Sequence, residues 1–240
     1  MKDQKTFNPD LFSSLKQAEQ NHFWFIVRRK WILDRVRLHL ARGSSFLEIG
    51  CGTGNVGSFL AANGYKVTGC EYYASALSLS WPGIQMVQAS AFDLPFVDNS
   101  FDAVGLFDVL EHFDNDAEAL EEAVRVTKKN GIICVTVPAR KELWSSFDDF
   151  SSHKRRYHRP DLRRLFDKAG LSTLSVEYFF LSLYFPAKLV RSGRTVDPFR
   201  IAKPLNLLFM GITEAERWLS RHVPLPGGSS LIGIARKISS

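Results

Sequence analysis

Short apolar runs alternate with stretches of helical hydrophobic spacing along most of this 240-residue chain. The alternation begins at about Arg42 and continues almost to the last residues. This pattern is typical of a parallel sheet with helices packed on both of its faces. We predict seven strands, at Ser45–Gly50, Lys66–Glu71, Ile84–Gln88, Phe101–Phe107, Gly131–Val137, Ser172–Phe180 and Leu231–Ala235.

The segments between these strands carry helical spacing and helix-stop residues. Gly64, Gly131 and Gly170 stand where helices need a C-terminal stop. Residues 11–40 also have a helical pattern, and residues 181–228 form a helical insertion punctuated by prolines, Pro198 among them. The four helices predicted between the strands are Asn55–Asn63, Tyr73–Ser80, Asp116–Lys129 and Pro160–Ala169.

These elements predict an α/β fold with one doubly wound, mostly parallel, seven-stranded sheet. The composition, 45% hydrophobic and 23% charged, fits a single domain over residues 1–240 with a full core. We divide that domain into an N-terminal helical cap (1–43), a sheet core (44–180), a helical insertion or lid (181–228) and the last strand (229–240). The insertion lies between strands six and seven.

The cysteines and the apolar segments indicate in which cellular compartment the protein is expected. Cys51, Cys70 and Cys134 have no C-x-x-C spacing, and each lies in or beside an apolar run, so we expect buried reduced thiols. The first residues have no apolar signal region, and the apolar stretch from Tyr178 is too short and broken to span a bilayer. We therefore expect a soluble, cytoplasmic protein.

Charge is distributed unevenly within the formal net charge of +6. Residues 153–164, HKRRYHRPDLRR, hold six Lys or Arg and one Asp, whereas residues 98–122 hold nine acidic residues and no Lys or Arg. The charge is therefore more informative about local sites than about the whole chain.

A glycine-rich turn follows the first predicted strand in the segment EIGCGTG, residues 48–54. Gly50, Gly52 and Gly54 allow the backbone to turn tightly and approach a ligand, while the next helix points its N-terminus at the same place. Glu71 ends the second strand, where a carboxylate can accept hydrogen bonds from both hydroxyls of a ribose. The pattern predicts a ligand that contains adenosine.

Two cofactor types compete for this turn. A dinucleotide fingerprint, G-x-G-x-x-G, can be fitted to Gly52, Gly54 and Gly57. However, Glu48 would lie unfavourably beside a pyrophosphate, whereas its charge suits a cationic sulfonium and ammonium. A nicotinamide oxidoreductase is also disfavoured because Leu77 occupies the lysine position of a Y-x-x-x-K pair.

The segment EIGCGTG resembles the E/D-x-G-x-G-x-G signature of class I S-adenosylmethionine-dependent methyltransferases. QASAFDLPFVDNSFDAVGLFDVLEHF resembles the family's stretch from the third strand into the fourth, and KKNGIICVTVP resembles its fifth strand. VLEH and HKRRY resemble the VLEH and HxRRY motifs of bacterial small-molecule methyltransferases. The resemblance spans nearly all of residues 45–240 and implies a Rossmann-like methyltransferase sheet, S-adenosylmethionine as cofactor and S-adenosylhomocysteine as product.

The resemblance also implies a cofactor site. Glu48 would order the turn, and Glu71 would bind the ribose. Ser90 stands where the family usually has an acid, so adenine recognition falls to Ser90, to the backbone of Ala91 and Phe92, or to Asp93. The predicted cofactor-binding residues are Glu48, Gly50, Cys51, Gly52, Gly54, Glu71, Tyr72, Ser90, Ala91, Phe92 and Phe107.

Candidate catalytic residues follow the fourth strand. Asp108, Glu111 and His112 would share one face if the chain turns helically there. His112 is a candidate general base. Alternatively, D-x-x-E-H resembles the E-x-x-E-H metal cluster of ubiquinone-pathway O-methyltransferases and small-RNA 2′-O-methyltransferases, with His153 as a further ligand and a divalent cation that lowers the pKa of the acceptor hydroxyl. A purely structural alternative has Asp108 as a cap and His112 packed under a helix.

Candidate acceptor-binding residues lie after the fifth strand and in the N-terminal cap. Arg155 and Arg156 could clamp a phosphate or carboxylate, with Tyr157 and His153 completing the site. The alternative is a solvated charged surface. Trp24 could act in a lid, with Phe25 beside it and Arg28 reaching the cofactor carboxylate; helical core packing is the simpler interpretation.

We therefore expect methyl transfer to a small-molecule acceptor, at oxygen, with an anionic or lipid-linked acceptor. Strand four ends in FDVL and not in the N/D-P-P-Y/F motif of DNA methyltransferases that methylate amino groups, so we expect no DNA substrate. The basic run of residues 153–164 is too short to favour RNA binding. The alternatives are a non-catalytic adenosine-cofactor-binding module and an RNA methyltransferase.

The insertion carries an apolar helical face that consists of Leu205, Leu208, Ile212, Ala215 and Leu219. We expect this face to pack on the sheet. The alternative is contact with a lipid surface, with Lys188 and Arg191 nearby. The sequence leaves the oligomeric state open.

Overall fold

A seven-stranded sheet forms the centre of the computed structural model, which describes residue 7 and residues 9–189 and 201–238. The strands are β1 (Ser45–Ile49), β2 (Lys66–Glu71), β3 (Gln85–Gln88), β4 (Phe101–Phe107), β5 (Thr127–Pro138), β6 (Leu171–Phe179) and β7 (Ser230–Lys237). Their order across the sheet is β3-β2-β1-β4-β5-β7-β6. Strands β1 to β5 pair in parallel, and β7 runs antiparallel between β5 and β6. The predicted Rossmann-like, mostly parallel sheet is confirmed.

Helices cover both faces of this sheet. They are α1 (Phe12–Asn21), α2 (Phe23–Val36), α3 (Asn55–Ala62), α4 (Ala74–Leu77), α5 (Asp116–Val126), α6 (Ser146–Phe150), α7 (Arg159–Lys168), α8 (Tyr184–Leu189) and α9 (Lys203–Leu219). Alternate residues of β1 enter two separate buried clusters: Leu47 packs with Leu120 of α5, and Phe46 packs with Trp31 of α2. Burial on both faces explains why the strands are almost continuously apolar.

The N-terminal helical stretch divides into α1 and α2 at His22. The extended His22 backbone interrupts the helix, and its Nδ1 accepts the Trp24 N–H at 3.2 Å as an N-cap. Helix α2 then runs beneath the sheet, with Val27 and Trp31 fully buried.

Two predicted helices are wrong in extent. The helix predicted over Tyr73–Ser80 is only α4 (Ala74–Leu77); the residues after it form tighter turns, in which the Leu79 N–H donates to the Ala76 carbonyl at 3.0 Å and the Ser80 N–H to the Leu77 carbonyl at 3.2 Å. The helix predicted over Asp116–Lys129 ends at Val126, and β5 begins at Thr127, which pairs with Phe101 ahead of a register shift.

The insertion is helical where the structure describes it, as α8 and α9. Arg191 and Pro198 lie outside the described residues. The apolar face predicted to pack on the sheet is solvent-exposed instead, with Leu208 57% and Ile212 41% accessible. Packing of that face on the sheet was therefore the wrong alternative. Within the described ranges, every helix is too short or too polar to cross a lipid bilayer.

Two glycines provide a matched test of packing. A Cβ on Gly105 would lie 2.6 Å from the Phe107 ring and 2.9 Å from the Phe46 ring, whereas one on Gly211 would meet nothing within 4 Å. Because both rings are buried, we expect Gly105→Ala to lower the free energy of unfolding by about 1–3 kcal/mol. Gly211→Ala, inside α9, should raise it by about 0.5–1 kcal/mol. Urea denaturation followed by circular dichroism measures both; equal stability of the two variants would contradict the packing account.

Candidate functional site

A cavity of about 810 Å³ opens at the carboxyl edge of the sheet. Its floor is formed by residues at the ends of β1, β2, β4 and β5, and its walls by α1, α2, α8 and α9. Crossovers leave β1 and β4 in opposite directions, because β1 connects to β2 on one side while β4 connects to β5 on the other. This switch in strand order is where open α/β sheets form their binding crevices.

The glycine turn is held in place by Glu48. Its Oε2 accepts the Gly57 N–H at 2.7 Å at the start of α3. Gly50 has φ +64°, and a Cβ there would lie 2.7 Å from Val109, so the turn both requires positive φ and leaves no room for a side chain. Burial raises the pKa of Glu48 to about 8, although the positive charge of Arg28 works in the opposite direction.

Glu71 ties the end of β2 to the same turn. Its carboxylate accepts backbone N–H groups from Gly52 at 2.8 Å, Tyr72 at 2.8 Å and Tyr73 at 3.1 Å. Burial raises its pKa, and these three hydrogen bonds oppose that rise. The carboxylate also lines the cavity, so it is positioned to meet a ligand that contacts the turn.

The predicted cofactor residues divide into two groups. Most of them line the cavity, whereas Gly54, Ser90 and Phe92 are not among its lining residues. Ser90 Oγ accepts the Phe92 N–H at 3.2 Å within a local turn. The predicted residues that line the cavity are Glu48, Gly50, Cys51, Gly52, Glu71, Tyr72, Ala91 and Phe107.

Arg28 joins the N-terminal cap to the end of β4. Its guanidinium forms an ion pair with Asp108 at 2.5 Å and donates to the Phe107 carbonyl at 2.8 Å. Asp108 has φ +56° and also accepts the Thr136 hydroxyl at 2.9 Å. Trp24 lines the cavity, and its ring lies 4.9 Å from the Arg28 guanidinium carbon. Asp108 therefore holds β4, β5 and α2 together.

Glu111 and His112 form a 3₁₀ turn instead of continuing as an α-helix. The predicted common helical face with Asp108 is therefore wrong. The atoms that could share a metal ion within the described chain belong to Glu111, His112 and His153 and lie within 4.8 Å of one another. Glu111 is fully buried, and its two carboxylate oxygens have no hydrogen-bond partner among the described residues. Burial, reinforced by the charge of Asp108, raises the pKa of Glu111 well above its usual range.

Asp148 is the centre of a second polar cluster in the cavity wall. It accepts from His153 Nδ1 at 2.8 Å and from Arg156 Nε and Nη2 at 2.8 and 3.0 Å. Burial would raise the pKa of Asp148, but hydrogen bonds from His153 and Arg156 outweigh it and lower the pKa to about 2. The ionised carboxylate orients His153 with Nδ1 toward Asp148, which leaves Nε2 on the other side of the ring.

Asp148 was not predicted as a functional residue. Its only signal in the sequence is the Ser145-x-x-Asp148 capping pattern at the start of α6. That pattern predicts a helix cap and gives no indication of contacts with His153 or Arg156. Glu19 was also missed: it lines the cavity and accepts from the Thr53 hydroxyl at 2.5 Å and from Trp81 Nε1 at 2.7 Å. No local pattern links these three residues.

Arg155 and Tyr157 lie apart from the cavity lining. Arg155 donates to the Phe113 and Asp114 carbonyls at 3.0 and 2.8 Å and pairs with Asp116 at 3.1 Å. The buried Tyr157 hydroxyl donates to Asp116 at 2.7 Å. The two side chains brace the loop after β5, while His153 and Arg156 from the same loop line the cavity.

Comparison with known proteins agrees with this geometry. Residues 47–135 match a family model described as a methyltransferase domain. A Mycolicibacterium smegmatis protein named "Probable S-adenosylmethionine-dependent methyltransferase" is 28% identical over 158 residues, 64% of this chain and 60% of that protein. Demethylmenaquinone methyltransferase of Staphylococcus aureus is 25% identical over 206 residues, 71% of this chain and 83% of that protein. A SAM-dependent methyltransferase structure from Thermotoga maritima has a TM-score of 0.62 at 20% identity and covers 95% and 98% of the two chains.

The strand order, the domain match over residues 47–135 and these relatives support the resemblance to class I S-adenosylmethionine-dependent methyltransferases. The family resemblance drawn from the sequence is confirmed. The chain spans 60% of the Mycolicibacterium smegmatis relative and 47% of a Mycobacterium tuberculosis relative that it matches.

The Asp148 cluster predicts a specific pH dependence of stability. The folded-state pKa of about 2 lies below the ordinary value of 3.8, so the carboxylate stabilises the fold above about pH 4, and this contribution is lost as the pH falls through 2. Asp148→Asn should therefore lower the free energy of unfolding by about 2 kcal/mol at neutral pH. The difference from wild type should shrink on acidification. Asp149→Asn, an exposed neighbour, is the matched control for urea denaturation at several pH values; a pH-independent difference for Asp148→Asn would contradict this prediction.

Proposed function

We propose that this chain transfers a methyl group from S-adenosylmethionine to a small-molecule acceptor. One observation carries the proposal: a single cavity is lined both by the glycine turn with Glu71 and by His153, whose ring is hydrogen-bonded to Asp148. A cofactor on the turn and an acceptor beside His153 would therefore share one enclosure. Positioning of two reactants in this way supplies a large part of the rate enhancement of bimolecular reactions, about 7–11 kcal/mol at best.

The residues at the turn fit the proposed cofactor. Gly50 and Gly52 leave backbone exposed to the cavity, and the Glu71 carboxylate would accept hydrogen bonds from the ribose hydroxyls with its remaining lone pairs. Glu48, below the turn, has a pKa raised to about 8 and is mostly protonated at neutral pH; a cationic sulfonium or ammonium nearby would favour its ionised form. When bound, S-adenosylmethionine supplies an electrophilic methyl group on its sulfonium. The chain's contribution is to bind it, align it and exclude water.

On the acceptor side, we assign His153 as the general base. Asp148 fixes Nδ1 as the donor, so Nε2 is the atom that accepts a proton from an acceptor hydroxyl. Arg156 holds Asp148 ionised and is a positioning residue. The earlier candidate base, His112, lies beside His153 with ring centroids 4.9 Å apart, so it would contact the same acceptor.

A divalent cation is the alternative way to activate the acceptor. Glu111, His112 and His153 fit one by number and separation, and the bare Glu111 carboxylate fits as an anionic ligand. Bound there, a cation would lower the pKa of an acceptor hydroxyl. Asp108 would not belong to that set, because Arg28 and Thr136 already occupy its carboxylate.

The acceptor half of the cavity favours a molecule with a large apolar part. Aromatic side chains dominate its walls, and the Arg156 guanidinium is committed to Asp148. Near His112 and His153 the aromatic lining residues include Phe7, whose ring centroid is 6.4 Å from that of His112, and Phe147, whose ring centroid is 6.0 Å from that of His153. Phe23, Trp24 and Phe209 line the cavity from α2 and α9. We therefore propose a hydroxylated amphiphile as acceptor, in preference to RNA or to a purely anionic metabolite. The name of the demethylmenaquinone methyltransferase relative is consistent with this class.

The cofactor assignment makes Glu71 a test residue. Glu71→Ala removes the ribose acceptor and loosens the turn, so S-adenosylhomocysteine should bind more weakly by about 1.5–3 kcal/mol. Isothermal titration calorimetry measures the change, with the exposed Glu121→Ala as a matched control. Binding of NAD in place of S-adenosylhomocysteine, or unchanged affinity in Glu71→Ala, would overturn the assignment.

The base assignment is tested by turnover. With labelled S-adenosylmethionine and a panel of phenols, catechols and quinols, His153→Gln should reduce methyl transfer about 10²–10⁴-fold. Affinity for S-adenosylhomocysteine should remain unchanged. Arg163→Gln, at an exposed position of α7, is the control.

Chelation separates the two mechanisms. Activity that survives thorough treatment with EDTA supports His153 as the base. Activity that is lost and then restored by Mg²⁺ or Mn²⁺ would support the cation at Glu111, His112 and His153.

A further inference from the structure

Helix α9 turns its apolar face toward solvent. Over its 17 residues the exposed side includes Leu205 (44% accessible), Leu207 (69%) and Trp218 (61%). The complete apolar face, called here the α9 outer face, is formed by Leu205, Leu207, Leu208, Gly211, Ile212, Ala215, Trp218 and Leu219. At 1.5 Å per residue the helix is about 25 Å long, so this face is far larger than an isolated exposed leucine.

The polar residues of α9 point toward the protein. Glu214 pairs with Lys30 of α2, and Arg217 pairs with Asp34 of the same helix. Glu216 accepts the Leu181 and Ser182 N–H groups that lead into α8. Asn206 also faces the protein, since its side-chain oxygen accepts the Phe23 N–H at 2.9 Å. The usual orientation of an amphipathic helix on a globular protein is therefore reversed.

This reversed orientation is produced by specific ion pairs between α9 and α2. A helix that merely lacked a core to pack on would leave its charges in solvent as well. Here the inward charges are matched by charges on α2, which fix the rotation of α9 about its axis. The outer face is consequently held outward by the fold itself.

The charges around the outer face are basic. Lys203 is exposed at the start of α9, and Lys188 is exposed on α8 beside Phe185, which is 64% accessible. Arg221, two residues past the end of α9, is exposed as well, but its charge is partly compensated because it pairs with Asp34 at 2.8 Å. Both acidic residues of α9, Glu214 and Glu216, are used inside the protein. Apolar side chains bordered by exposed cations, without acids on the same side of the helix, complement an anionic lipid surface. Trp218, whose ring is tilted by 51° against the His222 ring with centroids 5.1 Å apart, is of the aromatic type enriched at membrane interfaces.

The same two helices also form walls of the cavity. Phe209 lines it from the inner side of α9, and Pro186 and Ala187 line it from α8. An acceptor with a hydrocarbon part could therefore pass between a lipid surface and the cavity along continuous apolar side chains.

We propose that the α9 outer face, with Phe185, docks this protein on anionic lipid membranes. Docking alone does not depend on the proposed function. Delivery of a membrane-resident acceptor to the cavity by this docking does rest on the proposed methyl transfer. A second copy of the chain is the competing occupant of the face.

Flotation with phosphatidylcholine vesicles, with and without phosphatidylglycerol, tests the proposal. The protein should float with the anionic vesicles, and high salt should weaken but not abolish the interaction. The variant Leu208→Glu/Ile212→Glu should reduce the partition coefficient about tenfold or more, because two exposed apolar side chains that would enter the lipid interface become charged. The matched control is Leu38→Glu/Val97→Glu, which alters two side chains of similar or greater exposure away from α9. The control should float like wild type.

Three results would overturn the proposal. Wild-type protein that stays unbound with both vesicle types excludes docking. Equal loss in the α9 and control variants shows that added negative charge alone is responsible. The third result combines two measurements: wild-type protein does not float, and sedimentation velocity without lipid shows an oligomer that only Leu208→Glu/Ile212→Glu dissociates. That result assigns the α9 outer face to a second copy of the chain. Titration of the same samples with S-adenosylhomocysteine tests the proposed function independently. Protein that binds S-adenosylhomocysteine but does not float contradicts membrane docking and leaves the proposed function standing. Protein that floats but does not bind S-adenosylhomocysteine contradicts the proposed function and leaves docking standing.

Discussion

The parallel pairing of β1 with β4 is the constraint on which the rest of the structure depends. Because the two strands run in the same direction and both end at one edge, the residues after them meet there: the glycine turn after Ile49 and the Asp108 turn after Phe107. The polar groups described around the cavity are supplied by the last residues of strands, such as Glu48 of β1 and Glu71 of β2, by the turns at this edge, or by helices folded over it.

The cavity holds carboxyl groups in opposite protonation states. Glu48 and Glu111 are buried where few groups compensate a negative charge, and their pKa values are raised. Asp148 is buried as well, but Arg156 and His153 keep its pKa near 2. Local partners, and not depth alone, decide which acid is charged. Asp148 is therefore a fixed anion beside His153, whereas Glu48 beneath the glycine turn is mostly protonated at neutral pH.

Features that depend on neighbours in sequence could be predicted. The strands, the glycine turn and the acid at the end of β2 follow from apolar runs and their punctuation. Residues whose role depends on distant partners could not: Asp148 has meaning only through His153 and Arg156, and Glu19 only through Thr53 and Trp81. For α9, spacing predicted which side chains share a face, but ion pairs with Lys30 and Asp34 determine which face points inward.

The position of β7 has a consequence for the order in which the protein is completed. β7 lies between β5 and β6, and it supplies the ladder that connects β6 to the rest of the sheet. During synthesis β6 emerges from the ribosome more than fifty residues before the end of β7, and it has no place in the sheet until then. In the meantime α8 and α9 have already left the ribosome, tethered to an unpaired strand. This long-range closure makes the folding of the last third of the chain a late, cooperative step that requires the final residues.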